Sequence, residues 1–303
     1  MLLTTVLLAC APEPGPSLPP DAVRGTTSEE TTGVLAATAC TVMPALTGDT
    51  VSLRVDPTGV VWNLSVDGLL TRYAAVDGDG CALEGSVVLG DGEFDAVGDL
   101  ELDGEGRPYA LVYFDTVARL DPDGAITLAC PIASGHALAP TPAGDVVYGW
   151  PIGAESVSRV EMTDTCGEAS TLPLAEAISV AGAIGPAGLA AASFDPAGDL
   201  PPGMVFDLDD GARISDLAPG GAVGSISDVV VAGDGWFVTD PVDRGLFQLG
   251  ADGSMVVRYD PARLPGGEDQ YLGFSSVAYQ PGGTSYLAAS DLDGAGIWRV
   301  EDL

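Results

Sequence analysis

The sequence predicts an all-β fold, namely a β-propeller built from six four-stranded blades. Three observations support this prediction: short apolar strands alternate with Asp-Gly turns, residues 226–259 contain four such strands, and the pattern recurs about every 45 residues. Asp-Gly between apolar runs is a strong hairpin signal, because tight hairpin turns favour residues that tolerate positive φ. Four antiparallel strands per repeat are the content of one propeller blade.

Residues 226–259 show the repeat most clearly. The predicted strands of this segment are Asp228–Ala232, Trp236–Thr239, Gly245–Leu249 and Ser254–Tyr259. One turn glycine follows the first strand of each repeat, at Gly59, Gly106, Gly144, Gly188, Gly235 and Gly283, with spacings of 38 to 48 residues. Residues 34–303 number 270, so six repeats of 45 residues fill them. A fixed period of this length is typical of propellers.

The ring of blades needs a closing strand. The sixth repeat shows only three strands before Leu303. Residues 38–45 precede the first repeat, and we expect them to supply the missing outer strand of the last blade. Closure of this kind removes exposed sheet edges. The alternatives are a seven-bladed propeller and a pair of β-sandwiches, although sandwiches do not repeat with this period.

The N-terminus has the features of an export signal. Residues 1–9 form a short apolar run, and Leu7-Leu8-Ala9-Cys10 resembles the bacterial lipobox, which implies a lipid on Cys10. An ordinary secretory signal is the alternative. Residues 10–33 are rich in proline, serine, threonine and acidic residues, so they are expected to be a disordered tether. Ala11 after the cysteine favours the outer membrane or the cell surface.

Charge excludes several functions. The chain has 11 basic residues, all arginine, against 44 acidic ones, and its formal net charge is −33. Schiff-base chemistry on lysine is therefore excluded, and nucleic acid is a poor partner for such a negative surface. We expect a monomer that contacts a membrane only through the lipid on Cys10.

The fifth repeat carries a family resemblance. Val238-Thr239-Asp240, Asp243-Arg244-Gly245 and Ala251-Asp252-Gly253 together resemble the repeat of NHL-type propellers. The wider group includes the SMP-30/gluconolactonase-like six-bladed enzymes, and this resemblance implies a divalent metal held in the channel by Glu, Asn and Asp. This chain has a single asparagine, Asn63, so that ligand set is not recognisable here.

Four cysteines remain after Cys10, namely Cys40, Cys81, Cys130 and Cys166. An even number in an exported protein indicates disulfides, and four cysteines allow three pairings. We expect pairs between neighbouring blades, Cys40–Cys81 and Cys130–Cys166. Buried free thiols and a zinc site are the alternatives, although no Cys-x-x-Cys spacing supports zinc.

The candidate site residues are few. His136 is the only histidine, so it is the candidate general base, and a structural histidine is the alternative. Asp99 and Asp228 occupy equivalent positions at the start of two first strands and are candidate ligands for Ca²⁺ or another divalent cation. Alternatively, these two side chains accept hydrogen bonds from backbone donors.

These observations favour a non-enzymatic, exported and lipid-anchored propeller that binds a protein or glycan at the cell envelope, without a cofactor. The alternative is a metal-dependent hydrolase or lactonase that uses channel carboxylates. An enzyme of that kind requires at least three of Asp99, Glu101, His136, Asp228 and their neighbours to converge on one point.

Overall fold

The structure is a computed structural model. It describes residues 31–33, 36–42, 50–65, 67–75, 81–89, 97–133, 135–194, 199–218, 223–240, 245–259, 273–280, 285–291 and 294–301. The predicted signal peptide, Cys10 and residues 11–30 of the predicted tether lie outside the described residues. Within the described ranges there is no helix with the length and hydrophobicity that a membrane span requires.

Strands make up the regular secondary structure of the described residues, as the all-β prediction requires. In chain order they are β1 (Thr31–Gly33), β2 (Ala36–Val42), β3 (Thr50–Val55), β4 (Val60–Ser65), β5 (Leu69–Ala75), β6 (Cys81–Val88), β7 (Val97–Leu102), β8 (Pro108–Val112), β9 (Thr116–Leu120), β10 (Ile126–Pro131), β11 (Ala137–Pro140), β12 (Val146–Trp150), β13 (Ala154–Glu161), β14 (Ser170–Gly185), β15 (Gly188–Ser193), β16 (Gly203–Phe206), β17 (Arg213–Leu217), β18 (Asp228–Ala232), β19 (Gly235–Asp240), β20 (Gly245–Leu249), β21 (Met255–Tyr259), β22 (Gly273–Ala278), β23 (Ser285–Asp291) and β24 (Gly294–Glu301).

Consecutive strands pair antiparallel and form five sheets in the described part of the chain. Two sheets are the four-stranded runs β3 to β6 and β7 to β10. A seven-stranded sheet runs from β11 to β17, and its long strand β14 pairs first with β13 and then with β15. Strands β18 to β21 and β22 to β24 form the other two sheets, each extended by one N-terminal strand. The predicted all-β propeller is confirmed.

The strands that line the channel follow one another around a closed ring. They are β3, β7, β11, β14, β18 and β22 in this order, and β22 contacts β3 again. We call these six strands the first strands. Their residues therefore face a common central channel.

The N-terminal strands attach to the last two sheets. β2 pairs antiparallel with β24, with Ala37 opposite Val300 and Val42 opposite Gly296, in the place where the sequence predicts a closing strand. β1 pairs parallel with β21, although the sequence analysis assigns Thr31–Gly33 to the disordered tether. The tether boundary shifts because the free edge of β21 offers backbone donors and acceptors to an added strand.

Apolar side chains pack between neighbouring sheets. Trp62 shares a cluster with Leu100, and Trp236 shares one with Ala190, so each tryptophan contacts residues of an adjacent strand run. Trp150 packs in the same way against Leu189, and Trp298 against Phe237. The four tryptophans thus contribute to the packing between neighbouring strand runs.

A disulfide joins two neighbouring sheets. Cys130 on β10 is bonded to Cys166, which lies between β13 and β14, and their Cα atoms are 5.4 Å apart. The predicted Cys130–Cys166 pair is confirmed. Cys81 is also disulfide-bonded. The side chain of Cys40 lies outside the described side chains, so the Cys40–Cys81 pair stays a prediction.

Replacing Cys130 and Cys166 together by serine is expected to lower the free energy of unfolding by about 2–4 kcal/mol. The bond closes a segment with a sequence separation of 36 residues, and its loss increases the entropy of the unfolded chain. Urea unfolding of the variant and the parent measures the change. A matched double variant at exposed Ser170 and Thr171 is the control, and equal midpoints for the cysteine variant and the parent would contradict the expectation.

Candidate functional site

Hydrogen bonds from side chain to backbone connect the first strands around the channel. Four polar residues at equivalent positions each accept an N–H from the first strand of a neighbouring sheet. The donor–acceptor pairs are Leu53–Ser276 (2.9 Å), Leu100–Ser52 (3.4 Å), Leu138–Asp99 (3.0 Å) and Val277–Asp228 (2.9 Å). This geometry fits the interpretation in which Asp99 and Asp228 serve backbone donors.

Arg54 on β3 lies among these residues. Its ion pairs with Glu101 and Asp228 form what we call the ion-paired layer. Its Nε donates to Glu101 Oε2 at 2.7 Å, and Nη2 donates to Glu101 Oε1. On the other side, Nη1 and Nη2 donate to Asp228 Oδ2 and Oδ1, each at 2.9 Å. Nη1 also donates to the Leu53 carbonyl at 2.7 Å. All five N–H groups of the guanidinium are therefore engaged inside the protein.

The ion pairs are deeply buried and cross the channel. The side chains of Arg54, Glu101 and Asp228 are 7%, 9% and 8% exposed. Glu101 lies on β7 and Asp228 on β18, and these strands are not neighbours in the ring. Burial alone lowers the pKa of Arg54, but the charges of Asp228 and Glu101 outweigh burial and raise that pKa well above its usual value. Arg54 therefore stays positively charged inside the channel.

Asp99 lies beside this pair and accepts several hydrogen bonds. Its Oδ1 accepts the Ser52 hydroxyl and the Leu100 N–H at 2.8 Å, and its Oδ2 accepts the Leu138 N–H. Burial raises the pKa of Asp99 to about 6, and the charge of Arg54 offsets only part of that effect. Asp99 thus holds its proton more tightly in the folded protein than in the unfolded chain.

Glu101 shows the larger shift. Burial raises its pKa to about 8 in spite of the charge and hydrogen bonds of Arg54, and the nearby carboxylates of Asp99 and Asp228 raise it further. Glu101 and Asp228 pair with the guanidinium of Arg54, and the carboxyl group of Asp99 lies close enough to feel its charge. The folded protein therefore favours an additional proton on the cluster.

The ion-paired layer divides the channel into two chambers. Arg54 and Glu101 line both chambers, which places their pair between them. A narrow chamber of about 70 Å³ lies at the start of the first strands, next to Asp99, His136 and Asp228. A wide chamber of about 480 Å³ lies at the end of these strands, among mainly apolar side chains.

His136 lies in the narrow chamber, next to the two predicted aspartates. Its ring stacks obliquely on Phe114 at 4.8 Å between centroids, and its backbone N–H donates to the Trp150 carbonyl at 2.7 Å. Its Nδ1 is buried and has no hydrogen-bond partner among the described residues. The structure therefore brings His136, Asp99 and Asp228 to one chamber, whereas the catalytic role of His136 stays a prediction.

The channel carboxylates surround a guanidinium and do not form a set of metal ligands among the described residues. Among the described residues, no group of three or more His, Cys, Asp or Glu side chains is arranged to hold a metal ion. Glu101 and Asp228 converge instead on the guanidinium of Arg54. The metal-binding role of Asp99 and Asp228 stays a prediction.

The predicted site residues do not include Arg54. A signal was present, because Arg54 and Glu101 occupy equivalent positions two residues after Ser52 and Asp99, 47 residues apart. Opposite charges at matching positions of consecutive first strands are expected to meet across a propeller channel. Asp228 has no such charged counterpart one repeat away, so its pairing with Arg54 depends on the closed ring.

Comparison with solved structures finds propellers. The WD40 domain of Pan2 from Neurospora crassa aligns with a TM-score of 0.56 and 10% identity, over 89% of this chain and 96% of that one. A catalytically inactive virginiamycin B lyase from Staphylococcus aureus, solved with quinupristin, aligns with a TM-score of 0.56 and 11% identity, over 86% of this chain and 83% of that one. No family model and no curated protein matches the sequence. At these identities the similarity shows the fold alone, and the chain is a β-propeller.

Proposed function

We propose that this chain is an exported, lipid-anchored propeller with six blades that binds a protein or glycan at the cell envelope and is not an enzyme. The observation that carries the proposal is the pairing of Arg54 with both Glu101 and Asp228. A buried charge layer whose members are paired is costly to break and leaves the surfaces of the propeller for recognition.

Catalysis by the channel carboxylates requires oxygens that can reach a substrate or a metal. Both oxygens of Asp228 accept hydrogen bonds from Arg54, and Oδ2 also accepts the Val277 N–H. Both oxygens of Asp99 accept backbone N–H groups. These contacts favour a structural role for the two aspartates over the hydrolase or lactonase alternative.

Six blades follow if the seven-stranded sheet is divided at β14. The N-terminal part of β14 then completes the blade of β11 to β13, and its C-terminal part begins the blade of β15 to β17. The ring of six first strands and the addition of β2 to β22–β24 support this count.

We also propose that the repeats of this chain are of the NHL type. In the resembling segment, Asp240 ends β19 and is fully buried. Its Oδ2 accepts the N–H groups of Gly224 and Ser225 at 2.7 and 3.2 Å. Asp240, at the end of β19, thus fixes the backbone that leads into β18. This contact gives the aspartate of the repeat a structural role.

The envelope location rests on the lipobox-like residues before Cys10 and on the tether that follows. Expression of the full chain in a Gram-negative host with an alkyne-labelled fatty acid is expected to give a labelled protein in the membrane fraction. Cys10→Ala is expected to abolish the label, while Cys81→Ala retains it. An unlabelled parent protein would contradict the lipid anchor.

The non-enzymatic proposal has its own test. The full chain with Cys10→Ala, assayed on gluconolactone with Ca²⁺, Mg²⁺, Mn²⁺ or Zn²⁺, is expected to show no turnover above background. Its melting temperature is expected to be unchanged by EDTA, because Arg54 supplies the positive charge of the channel. Metal-dependent turnover that Asp99→Asn abolishes would overturn the proposal in favour of the metal-dependent enzyme.

A further inference from the structure

We propose that the wide chamber binds a small molecule with an apolar body and a positively charged amine, and that the amine lies against Glu101. This inference rests on the proposed binding function and gives it a ligand class. It follows from the walls of the chamber, from the hydrogen-bonding capacity of its floor and from the local charge.

The walls provide the apolar surface. Side chains from several first strands surround the space, including Val55, Leu102, Pro140, Ile184, Val230 and Val231. A volume of about 480 Å³ is within the range of roughly 300–1,000 Å³ that is usual for small-molecule sites. The chamber is too wide for the thin stem of a single lysine side chain to fill, so we infer a compact ligand with a bulkier body.

The floor of the chamber is the pair of Arg54 and Glu101, and when Glu101 is ionised this floor offers acceptors and no free donor. Every N–H of Arg54 already donates to Glu101, Asp228 or the Leu53 carbonyl. The guanidinium therefore has no N–H donor left for an anionic ligand. Each oxygen of Glu101 accepts one bond from Arg54, which leaves acceptor capacity on both oxygens. A ligand that reaches the floor must therefore bring the donor itself.

The charge around the floor favours a cation. Glu101 and Asp103 both line the chamber, and Asp228 and Asp99 lie behind the floor. Arg54 pairs with Glu101 and Asp228, and Arg107 pairs with Asp103 at 2.6 Å, so with all four carboxyl groups ionised the two arginines match only part of the negative charge. The chain as a whole carries −33, so a carboxylate ligand meets repulsion whereas an ammonium is attracted.

Three probes of the same shape test the inference on the full chain carrying Cys10→Ala. They are 4-tert-butylbenzylamine, 4-tert-butylbenzyl alcohol and 4-tert-butylbenzoate, which differ in charge and share one apolar body. Titration calorimetry is expected to show the amine binding at least tenfold more tightly than the benzoate, with the alcohol between them. Equal affinities for the amine and the benzoate, or no binding by any probe at millimolar concentration, would overturn the inference.

Two variants locate the site. Glu101→Gln is expected to weaken the amine at least tenfold and to weaken the alcohol much less, because the amine loses the opposite charge whereas the hydroxyl can still donate to the glutamine carbonyl. Val231→Trp is expected to abolish binding of all three probes by filling the chamber, whereas Val256→Trp on the exposed face of β21 leaves them unchanged. Unchanged amine binding in Val231→Trp would place the ligand elsewhere and refute the site. The lipidation and lactone results do not involve this chamber, so they remain informative if the probes fail.

Discussion

Replacing Arg54 by glutamine is expected to lower the free energy of unfolding by about 3–5 kcal/mol. The change leaves Glu101 and Asp228 buried without their shared cation, and glutamine cannot supply five donors to the same acceptors. Urea unfolding followed by tryptophan fluorescence measures the effect. A shift of this size is a large fraction of the stability of an ordinary domain, so the variant is expected to melt at a much lower temperature.

Arg159 provides the matched control for Arg54. It also pairs with a carboxylate, Glu161 at 3.1 Å, but its side chain is 36% exposed. Arg159→Gln is expected to change the free energy of unfolding by less than about 1 kcal/mol, because exposed pairs contribute little. If the two variants were equally stable, the ion-paired layer would have no special role in the fold.

Raising the pH from 5 to 9 is expected to reduce the stability of the folded protein by about 3–5 kcal/mol. Burial raises the pKa of Asp99 to about 6 and that of Glu101 to about 8, so the folded state binds protons more tightly than the unfolded chain. The stabilisation from these protons is complete below the unfolded pKa values. It is lost as the pH rises through about 6 for Asp99 and about 8 for Glu101.

The composition of the chain makes this pH dependence easy to assign. The chain has one histidine and no lysine, so few other side chains titrate between pH 6 and 9. Glu101→Gln is expected to flatten the loss of stability between pH 6 and 9, because glutamine does not ionise. His136→Gln is the control and is expected to keep that loss. A parent protein whose stability rises over this range would contradict the assignment.

The fifth repeat shows how much of the fold could be predicted from the sequence. The predicted strands Asp228–Ala232 and Gly245–Leu249 coincide with β18 and β20. Turn chemistry sets their limits, and Gly233 has the positive φ of 62° that the turn between β18 and β19 requires. Where apolar runs alternate with such turns, local sequence determines the strands.

The fourth repeat departs from this pattern for a local reason. Residues 166–172 and 178–183 stand where the repeat pattern places two separate strands, but Ser170–Gly185 form the single strand β14. Pro173 is the one turn-favouring residue in the segment 173–177, and no glycine, asparagine or aspartate accompanies it. The backbone therefore continues extended from the outer part of one strand run to the channel.

The site could be predicted only in part. The equivalence of Asp99 and Asp228 followed from aligning the repeats. The role of Arg54 did not follow, because its two partners lie 47 and 174 residues away in the sequence. Contacts across a closed ring depend on which strands meet in space, and local periodicity does not contain that information.

A double-mutant cycle of Arg54→Gln and Glu101→Gln tests the central claim most directly. The claim is that one buried arginine, held by carboxylates from separate strands, stabilises the channel of this propeller. Urea unfolding of the parent, the two single variants and the double variant gives the coupling free energy of the pair. We expect a coupling of about 2–3 kcal/mol, so that the double variant is less destabilised than the sum of the single changes. Additive effects within about 0.5 kcal/mol would show that the two side chains do not act together and would contradict the claim.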